Sequence, residues 1–291
     1  MVNRKASRSA SAGMSLKPEY RQDILNSIAP IDHQLWFEAH TENYLVDGGP
    51  RLEFLMDVRQ HHAISLHGVG ASIGNASLPD KEYFRLLKNL VDMVEPTLIS
   101  EHFAWSRWSG NYFSELLPIP LNLNSLRIMS ESIDRYQNAI GRTLLIENPA
   151  NYVLFDNELS EPEFLTMLLE KTGANLLIDV NNLVVSAKNI EVDLDHYLQS
   201  IPIERVKEIH IAGHFIDSAI HPPLTIDGHS TNVDEQVWRL LETVLSLAGP
   251  TPVLVERDDS LPPFGELLAE TQRAQLLIDA ASNKHSNAIA Q

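Results

Sequence analysis

The chain alternates between short apolar runs and longer stretches in which apolar residues recur every three or four positions. Such alternation favours a parallel sheet covered by helices. The short runs number eight and cover residues 13–16, 35–39, 63–66, 97–100, 144–146, 176–178, 206–211 and 252–255. Eight strands that alternate with helices predict the α/β class and, within it, a single (β/α)8 TIM barrel.

Two of the helical stretches have a continuous apolar face. Residues at this spacing lie on one side of a helix, so we expect both faces to pack on the barrel. They are Phe84, Leu87, Val91 and Val94 in one stretch, and Leu126, Met129, Ile133, Tyr136 and Ile140 in the other.

The barrel is expected to form one domain over residues 13–281. A further helix is predicted to begin after Ser160, because Glu163 stands three positions on and completes a capping box. The basic, serine-rich segment 1–12 is expected to be a disordered tail, and residues 282–291 a frayed C-terminal tail.

Composition narrows the class of protein. No apolar run approaches the roughly 18 residues that span a bilayer, and a net charge of −17 argues against a nucleic-acid partner. The chain has no cysteine, which excludes disulfides and thiolate metal sites and favours a reducing cytoplasm. Any metal must therefore be held by imidazole and carboxylate groups.

Polar side chains stand at the C-terminal ends of six of the eight predicted strands. In a parallel barrel those ends meet at one rim, where barrel enzymes keep their chemistry. Carboxylates that share one pocket repel one another, and bound cations are the economical remedy. The residues are His67, Glu101, His102, Glu147, Asp179, His210 and Glu256.

The potential ligands exceed the needs of one ion, because several more follow the strands. Octahedral, carboxylate-rich coordination with imidazole favours iron or manganese. We predict a first site of Glu147, Asp179, His210 and Glu256, a second of His67 and His102 sharing Glu147, and a third of Asn182, His214, Asp227 and His229.

Other polar residues beside the rim are candidate substrate or supporting groups. Glu38, His40 and Glu42 accompany the second strand, and we expect at least one of them to line the pocket. Asp258 and Asp259 are expected at the surface or behind the ligands.

Nine motifs carry these residues, in the order HTENY, SLHGVGASIG, SEHFAWS, LLPIP, ENPANY, LLIDVNN, EIHIAGH, IDGHS and VERDDSLPP. Over about 13–280 the chain resembles the multinuclear non-haem iron-dependent oxidative enzymes, a family of xylose-isomerase-like barrels. Many relatives carry Trp where Arg257 stands and IDDHG in place of IDGHS. Both departures concern substrate contacts, so Arg257 is a further candidate for a substrate or supporting group.

The resemblance implies that the ten residues of the three predicted sites ligate two or three irons in mixed Fe(II)/Fe(III) states. It also implies dioxygen as co-substrate and oxidative modification of a cysteine in a ribosomally synthesised peptide. Expected outcomes include β-carbon excision, as in 3-thiaglutamate biosynthesis, and heterocycle formation. A partner protein that presents the precursor peptide is expected, as a heterodimer.

Other functions are compatible with the same barrel. A divalent-metal sugar isomerase or epimerase would use the first predicted site and leave the surplus histidines without a role. A metal-dependent hydrolase such as a nuclease needs a basic groove, which a charge of −17 does not suggest. A non-catalytic metal-binding protein would bind metal without consuming dioxygen.

Overall fold

The strands of the molecule close into one barrel. The computed structural model describes residues 10–26, 35–75, 79–108 and 111–289. The barrel strands are β1 (Ala12–Ser15), β2 (Trp36–His40), β3 (Ala63–Gly68), β4 (Ile99–His102), β7 (Leu145–Glu147), β8 (Asn175–Asp179), β9 (Val206–Ile211) and β12 (Val253–Val255). Strand β1 pairs in parallel with both β2 and β12, which closes the ring and confirms the predicted α/β barrel.

Two antiparallel hairpins stand outside the barrel and were not predicted. Strand β5 (Trp105–Trp108) pairs with β6 (Asn111–Leu117), and β10 (His214–Asp217) pairs with β11 (Leu224–Asp227). Each hairpin follows a barrel strand, β4 or β9, and therefore begins at the C-terminal rim. Strand β10 has no fully buried position, so it lacks the apolar pattern that marks a strand in the sequence.

Helices cover the outside of the barrel, and their apolar faces complete its core. They are α1 (Arg21–Asn26), α2 (Pro50–Arg59), α3 (Lys81–Val94), α4 (Leu123–Ile140), α5 (Glu161–Thr172), α6 (Val180–Ile190), α7 (Leu194–Ser200), α8 (Glu235–Ala248) and α9 (Phe264–Ile289). The faces predicted for α3 and α4 are buried, Phe84 only partly, which confirms their orientation. Among the described residues, no helix has both the length and the apolar character needed to cross a membrane.

Helix α5 begins and ends as its sequence indicates. The Ser160 amide donates to Glu163 Oε2 at 2.9 Å, and the Glu163 amide donates to Ser160 Oγ at 3.4 Å, which confirms the capping box. Gly173 ends the helix at a φ of 70°, in the left-handed region that favours glycine.

The chain ends differ in part from expectation. Helix α9 continues to Ile289, so most of the segment 282–291, expected to fray, is helical. The reason is local, because residues 282–289 contain neither glycine nor proline to break the helix. Of the expected tail 1–12, residues 1–9 lie outside the described part of the chain, and Ala12 already belongs to β1.

Barrel closure depends on a close approach at Gly13 in β1. A Cβ there would lie 2.4 Å from Cδ2 of Trp36 and 2.8 Å from the Trp36 carbonyl oxygen. We expect Gly13→Ala to lower the free energy of unfolding by about 1–3 kcal/mol, because β1 or β2 must shift. Urea unfolding measures the change. Gly48→Ala is the matched control, since nothing lies within 4 Å of its Cβ position, and equal losses in both variants would contradict the prediction.

Candidate metal centre

The C-terminal ends of the barrel strands bring polar side chains to one place. Parallel register sets His102 of β4 beside Glu147 of β7, and Asp179 of β8 beside His210 of β9. Glu256 directly follows β12. Glu147, Asp179, His210 and Glu256 are each at most 3% exposed. The structure thus gathers these predicted residues in the mouth of the barrel.

His67, His102 and Glu147 form the first of three ligand groups. The Nε2 atoms of the two histidines are 3.3 Å apart, and each lies 3.3 Å from Oε2 of Glu147. Atoms that bind one ion at about 2.1 Å stand about 3.0–3.4 Å apart for ordinary coordination angles. The spacing therefore fits three ligands of one ion.

Both histidines of this group are oriented by contacts at their other ring nitrogen. His67 Nδ1 lies 2.7 Å from Ser100 Oγ, and His102 Nδ1 donates to the Gly68 carbonyl at 2.9 Å. Burial lowers the pKa of His102 to about 4 and also lowers that of His67. Each ring is thus neutral near pH 7, with Nε2 turned toward Glu147, which is the form that ligates metals.

A second group shares Glu147 and adds Asp179 and His210, with ligand atoms all within 4.8 Å of one another. Asp179 Oδ1 accepts the Asn182 amide at 2.6 Å and caps α6, which leaves Oδ2 without a hydrogen bond. The Asn182 side chain donates to Glu147 Oε1 at 3.3 Å, and its own Oδ1 has no partner. The first turn of α6 therefore orients both carboxylates.

A third group shares Asp179 and adds His229 and Glu256. His229 Nε2 lies 2.8 Å from Asp227 Oδ1 and 3.9 Å from Glu256 Oε2. His229 Nδ1 is 2.9 Å from Asp258 Oδ2. A carboxylate behind the second ring nitrogen is the usual support for a metal-binding histidine, so Asp258 has a place behind the ligands.

The three groups form a row, because Glu147 belongs to the first two and Asp179 to the last two. Buried polar atoms without partners cost about 1–3 kcal/mol each. Several such atoms lie together here, and a set of bound cations would satisfy them. The residues therefore fit a multinuclear centre. Such atoms in the three groups and beside them include Glu147 Oε2, Asp179 Oδ2, Asn182 Oδ1 and His210 Nδ1.

Bound protons can offset the negative charge of the carboxylates in this cluster. Burial raises the pKa of Glu147 and of Asp179 well above the ordinary carboxyl range. Burial opposes a charge on His210, but the carboxylates of Glu256 and Glu38 outweigh it and raise the pKa of that ring. Metal ions would take the place of these protons.

His214 lies outside the three groups, and its role as a ligand of the third site stays a prediction. Its Nδ1 is 2.8 Å from Asn181 Oδ1, and its Nε2 is 2.7 Å from Lys188 Nζ. Asn181 also donates to Asp227 Oδ1 at 2.7 Å. His214 begins the hairpin that leaves the rim, and Asn181 connects it to Asp227.

Arg257 turns away from the cavity, which corrects its assignment to substrate contact. It is 3% exposed and donates to Glu270 Oε2 at 3.2 Å and to Asn232 Oδ1 at 3.0 Å. Helix α9 supplies Glu270, and this ion pair holds the side chain behind β12.

The side chain of Glu42 also makes contacts that stabilise the fold. Its carboxylate accepts the amides of Val69 at 3.1 Å and Gly70 at 2.8 Å and the hydroxyl of Tyr83 at 2.7 Å. It therefore anchors the loop after β3 instead of facing the pocket.

A cavity of about 410 Å³ opens above the cluster. His40 lines it, together with Tyr112 from the β5–β6 hairpin and Tyr152 from the loop after β7. Glu38 lies deeper in the barrel and is 2% exposed. Of the groups near the second strand, His40 is thus the one that meets the expectation of a pocket-lining residue.

Sequence reasoning missed Glu208, which is fully buried inside the barrel. It stands two residues before His210 in β9, and period-two alternation turns both side chains to the same face. That alternation was the available signal in the sequence. The prediction considered only polar residues at the ends of strands, and Glu208 lies in the middle of β9.

Comparison with known proteins identifies the family. The sequence model of the family described as "RiPP precursor modification enzyme MbnB/TglH/ChrH" matches residues 11–279. This chain belongs to that family. A UPF0276 protein of Caulobacter sp. (strain K31) is 41% identical over 278 residues, covering 95% of this chain and 99% of its own. A UPF0276 protein of Bordetella bronchiseptica is 42% identical over 266 residues, with 91% of each chain covered.

Solved structures show the same fold at low sequence identity. A xylose isomerase-like TIM barrel protein from Mycobacterium smegmatis, in complex with magnesium, matches at a TM-score of 0.60 and 14% identity, covering 95% of this chain and 98% of its own. Endonuclease IV from Thermus thermophilus matches at a TM-score of 0.54 and 14% identity, covering 94% of this chain and 99% of its own. These likenesses confirm the xylose-isomerase-like barrel and nothing about the reaction.

Glu147 is shared by two ligand groups, so its loss should empty more than one position. We expect Glu147→Gln to lower bound metal to less than half of the wild-type content, measured by elemental analysis. Glu101→Gln is the control, because Glu101 is 1% exposed but belongs to none of the three groups. Equal metal content in wild type and Glu147→Gln would refute the shared-ligand geometry.

Metal affinity should fall as pH falls. The raised pKa values of Glu147, Asp179, His210 and His229 mean that protons must leave before an ion binds. We expect Mn²⁺ to bind more tightly at pH 8 than at pH 6, with proton release seen by titration calorimetry in buffers of different ionisation enthalpy. An affinity independent of pH would contradict this interpretation.

Proposed function

We propose that this chain is an iron- and dioxygen-dependent catalytic subunit that oxidises a cysteine residue of a ribosomally synthesised peptide, acting with a partner protein that presents the peptide. The observation that carries the proposal is the row of three ligand groups linked through Glu147 and Asp179. Family membership supports a peptide precursor as substrate.

The chemistry of the donors supports iron. The groups combine imidazole nitrogens with carboxylate oxygens and contain no thiolate, a set that suits iron or manganese. Iron in mixed Fe(II)/Fe(III) states would supply one-electron oxidation with dioxygen as the oxidant. The row of groups supports two or three ions, with His67 and His102 at one end and His229 at the other.

The protein's own residues would bind and orient the peptide. Because the chain has no cysteine, the substrate would bring the only thiol into the cavity. His40 lines this cavity, and its Nε2 lies 3.7 Å from Asp258 Oδ1. His40 would accept a proton from a group that enters, and Asp258 would stabilise the imidazolium that results.

Exposed apolar side chains on the β5–β6 hairpin and on the loop after β7 support the docking of a peptide or a partner protein. Trp108 is 62% exposed and Leu116 is 44% exposed on the β5–β6 hairpin, and Leu154 is 70% exposed on the loop after β7. Leu116 also lines the cavity. Exposed apolar groups beside an active-site mouth are typical of binding surfaces.

The first test is metal analysis with Mössbauer spectroscopy on protein purified without oxygen from iron-supplemented cells. We expect at least two irons per chain in mixed ferrous and ferric states, because the ligand groups are linked. Oxygen uptake with a cysteine-containing precursor peptide, followed by mass spectrometry, then tests the reaction. A single zinc or magnesium ion without oxygen uptake would instead support an isomerase, a hydrolase or a metal-binding role.

A second prediction separates docking from metal binding. We expect Trp108→Ser with Leu116→Ser to keep the iron content and to raise the peptide's KM at least about tenfold, because apolar contact area is lost. Leu276→Ser is the control, since Leu276 is 68% exposed on α9 and away from the mouth. Unchanged KM in the double variant would remove the hairpin from the docking surface.

A further inference from the structure

Two glutamates occupy the layer of the barrel interior directly beneath the cluster. The interior of such a barrel is ordinarily filled by branched apolar side chains. Here Glu38 of β2 and Glu208 of β9 are 2% and 0% exposed. Both oxygens of Glu208 and Oε1 of Glu38 have no hydrogen bond. Burying a carboxylate without a partner costs free energy of folding, so a functional role would explain why these two are kept here.

Both carboxylates face the same nitrogen of His210. Glu38 Oε1 lies 3.4 Å from His210 Nε2, and Glu208 Oε1 lies 3.8 Å from it. On the other side of the ring, Nδ1 lies 3.3 Å from Glu256 Oε2. Ser65 Oγ donates to Glu38 Oε2 at 2.7 Å, which orients the Glu38 carboxylate toward His210.

The two ring nitrogens of His210 therefore have different surroundings. A neutral imidazole carries one N–H and one lone pair. An ion held by Glu256 would take the lone pair of Nδ1, which is the nitrogen that faces this carboxylate. The proton would then stay on Nε2, which faces the carboxylates of Glu38 and Glu208. Hydrogen bonds of this kind hold the ring and increase its basicity as a ligand.

We propose that Glu38, held by Ser65 and assisted by Glu208, is a positioning residue that accepts a hydrogen bond from the Nε2–H of His210 and so presents Nδ1 to the metal centre. The inference rests on the proposed metal centre but not on iron or on the oxidation reaction. Glu38 thereby acts through His210 and makes no contact with substrate.

A cation between Glu38, Glu208 and His210 is the competing interpretation, because their ligand atoms also lie within 4.8 Å of one another. His210 would then have to serve ions through both nitrogens and lose its last proton. A neutral imidazole with one proton and one lone pair satisfies both sides without that loss.

The test uses zinc as a diamagnetic probe in the full chain, with histidine labelled by ¹⁵N. We expect the zinc-loaded protein to show a slowly exchanging Nε2–H for His210, assigned by its absence in His210→Gln. The Nδ1–H of His229, which faces Asp258 at 2.9 Å, serves as the internal reference.

Variants separate positioning from packing. Glu38→Met and Glu208→Met together remove both acceptors at similar volume, and apolar residues often replace buried charges without loss of folding. We expect loss of the His210 N–H signal and about 10–100-fold weaker zinc binding. Glu38→Gln combined with Glu208→Met should restore part of both, because the amide oxygen at position 38 still accepts a hydrogen bond. A role in packing alone would give the same result for Met and Gln.

Ser65→Ala is the milder variant, and Ser130→Ala is its matched control. Ser130 is equally buried but donates to the Leu126 carbonyl within α4. We expect faster exchange of the His210 N–H in Ser65→Ala and no change in Ser130→Ala.

Four results would overturn the proposal. They are a proton on Nδ1 of His210, an unchanged signal and affinity in the double Met variant, a loss of one whole zinc ion in that variant, and failure of the wild type to bind zinc. The last result also removes the proposed metal centre. A protected Nε2–H in a protein that proves inactive toward cysteine peptides would leave the positioning role standing while the proposed reaction fails.

Discussion

Mutual repulsion among buried carboxylates at one end of a closed barrel is the constraint around which the site is built. Glu147, Asp179 and Glu256 are at most 3% exposed and belong to linked ligand groups. Each charge would cost several kcal/mol if left unpaired in this environment. Imidazoles, protons or cations must balance them, and the atoms left without partners indicate that the arrangement suits cations.

At His67, His102 and Asp179, the surrounding structure engages one polar atom of the side chain and leaves the other for an ion. Ser100 and the Gly68 carbonyl engage Nδ1 of His67 and His102, whose Nε2 atoms then meet at Glu147. The cap of α6 engages one oxygen of Asp179 in the same manner. The ligands are thus oriented by contacts that persist without metal, which reduces the reorganisation that binding would require.

The barrel itself is shared with proteins whose names describe epimerases and an endonuclease, at 10–14% identity. The fold therefore fixes where the reaction takes place but does not determine which reaction it is. The residues at the rim determine the reaction. Two hairpins that were not predicted leave the barrel at this rim, and Tyr112 and Leu116 line the cavity there. The β5–β6 hairpin therefore supplies part of the wall of the cavity.

The sequence by itself determined the barrel, its eight strands, the faces of α3 and α4 and the family, because these depend on local periodicity and on ordered motifs. It also located most of the rim residues, since parallel strands must end together. Only the tertiary structure decided which groups share an ion and that His214, Arg257 and Glu42 have other partners. Side-chain partners across the barrel depend on strand register and ring orientation, which no pattern along the chain records. Alternation along β9 could have indicated that Glu208 points inward, but only the closed barrel shows that Glu208 and Glu38 both face His210.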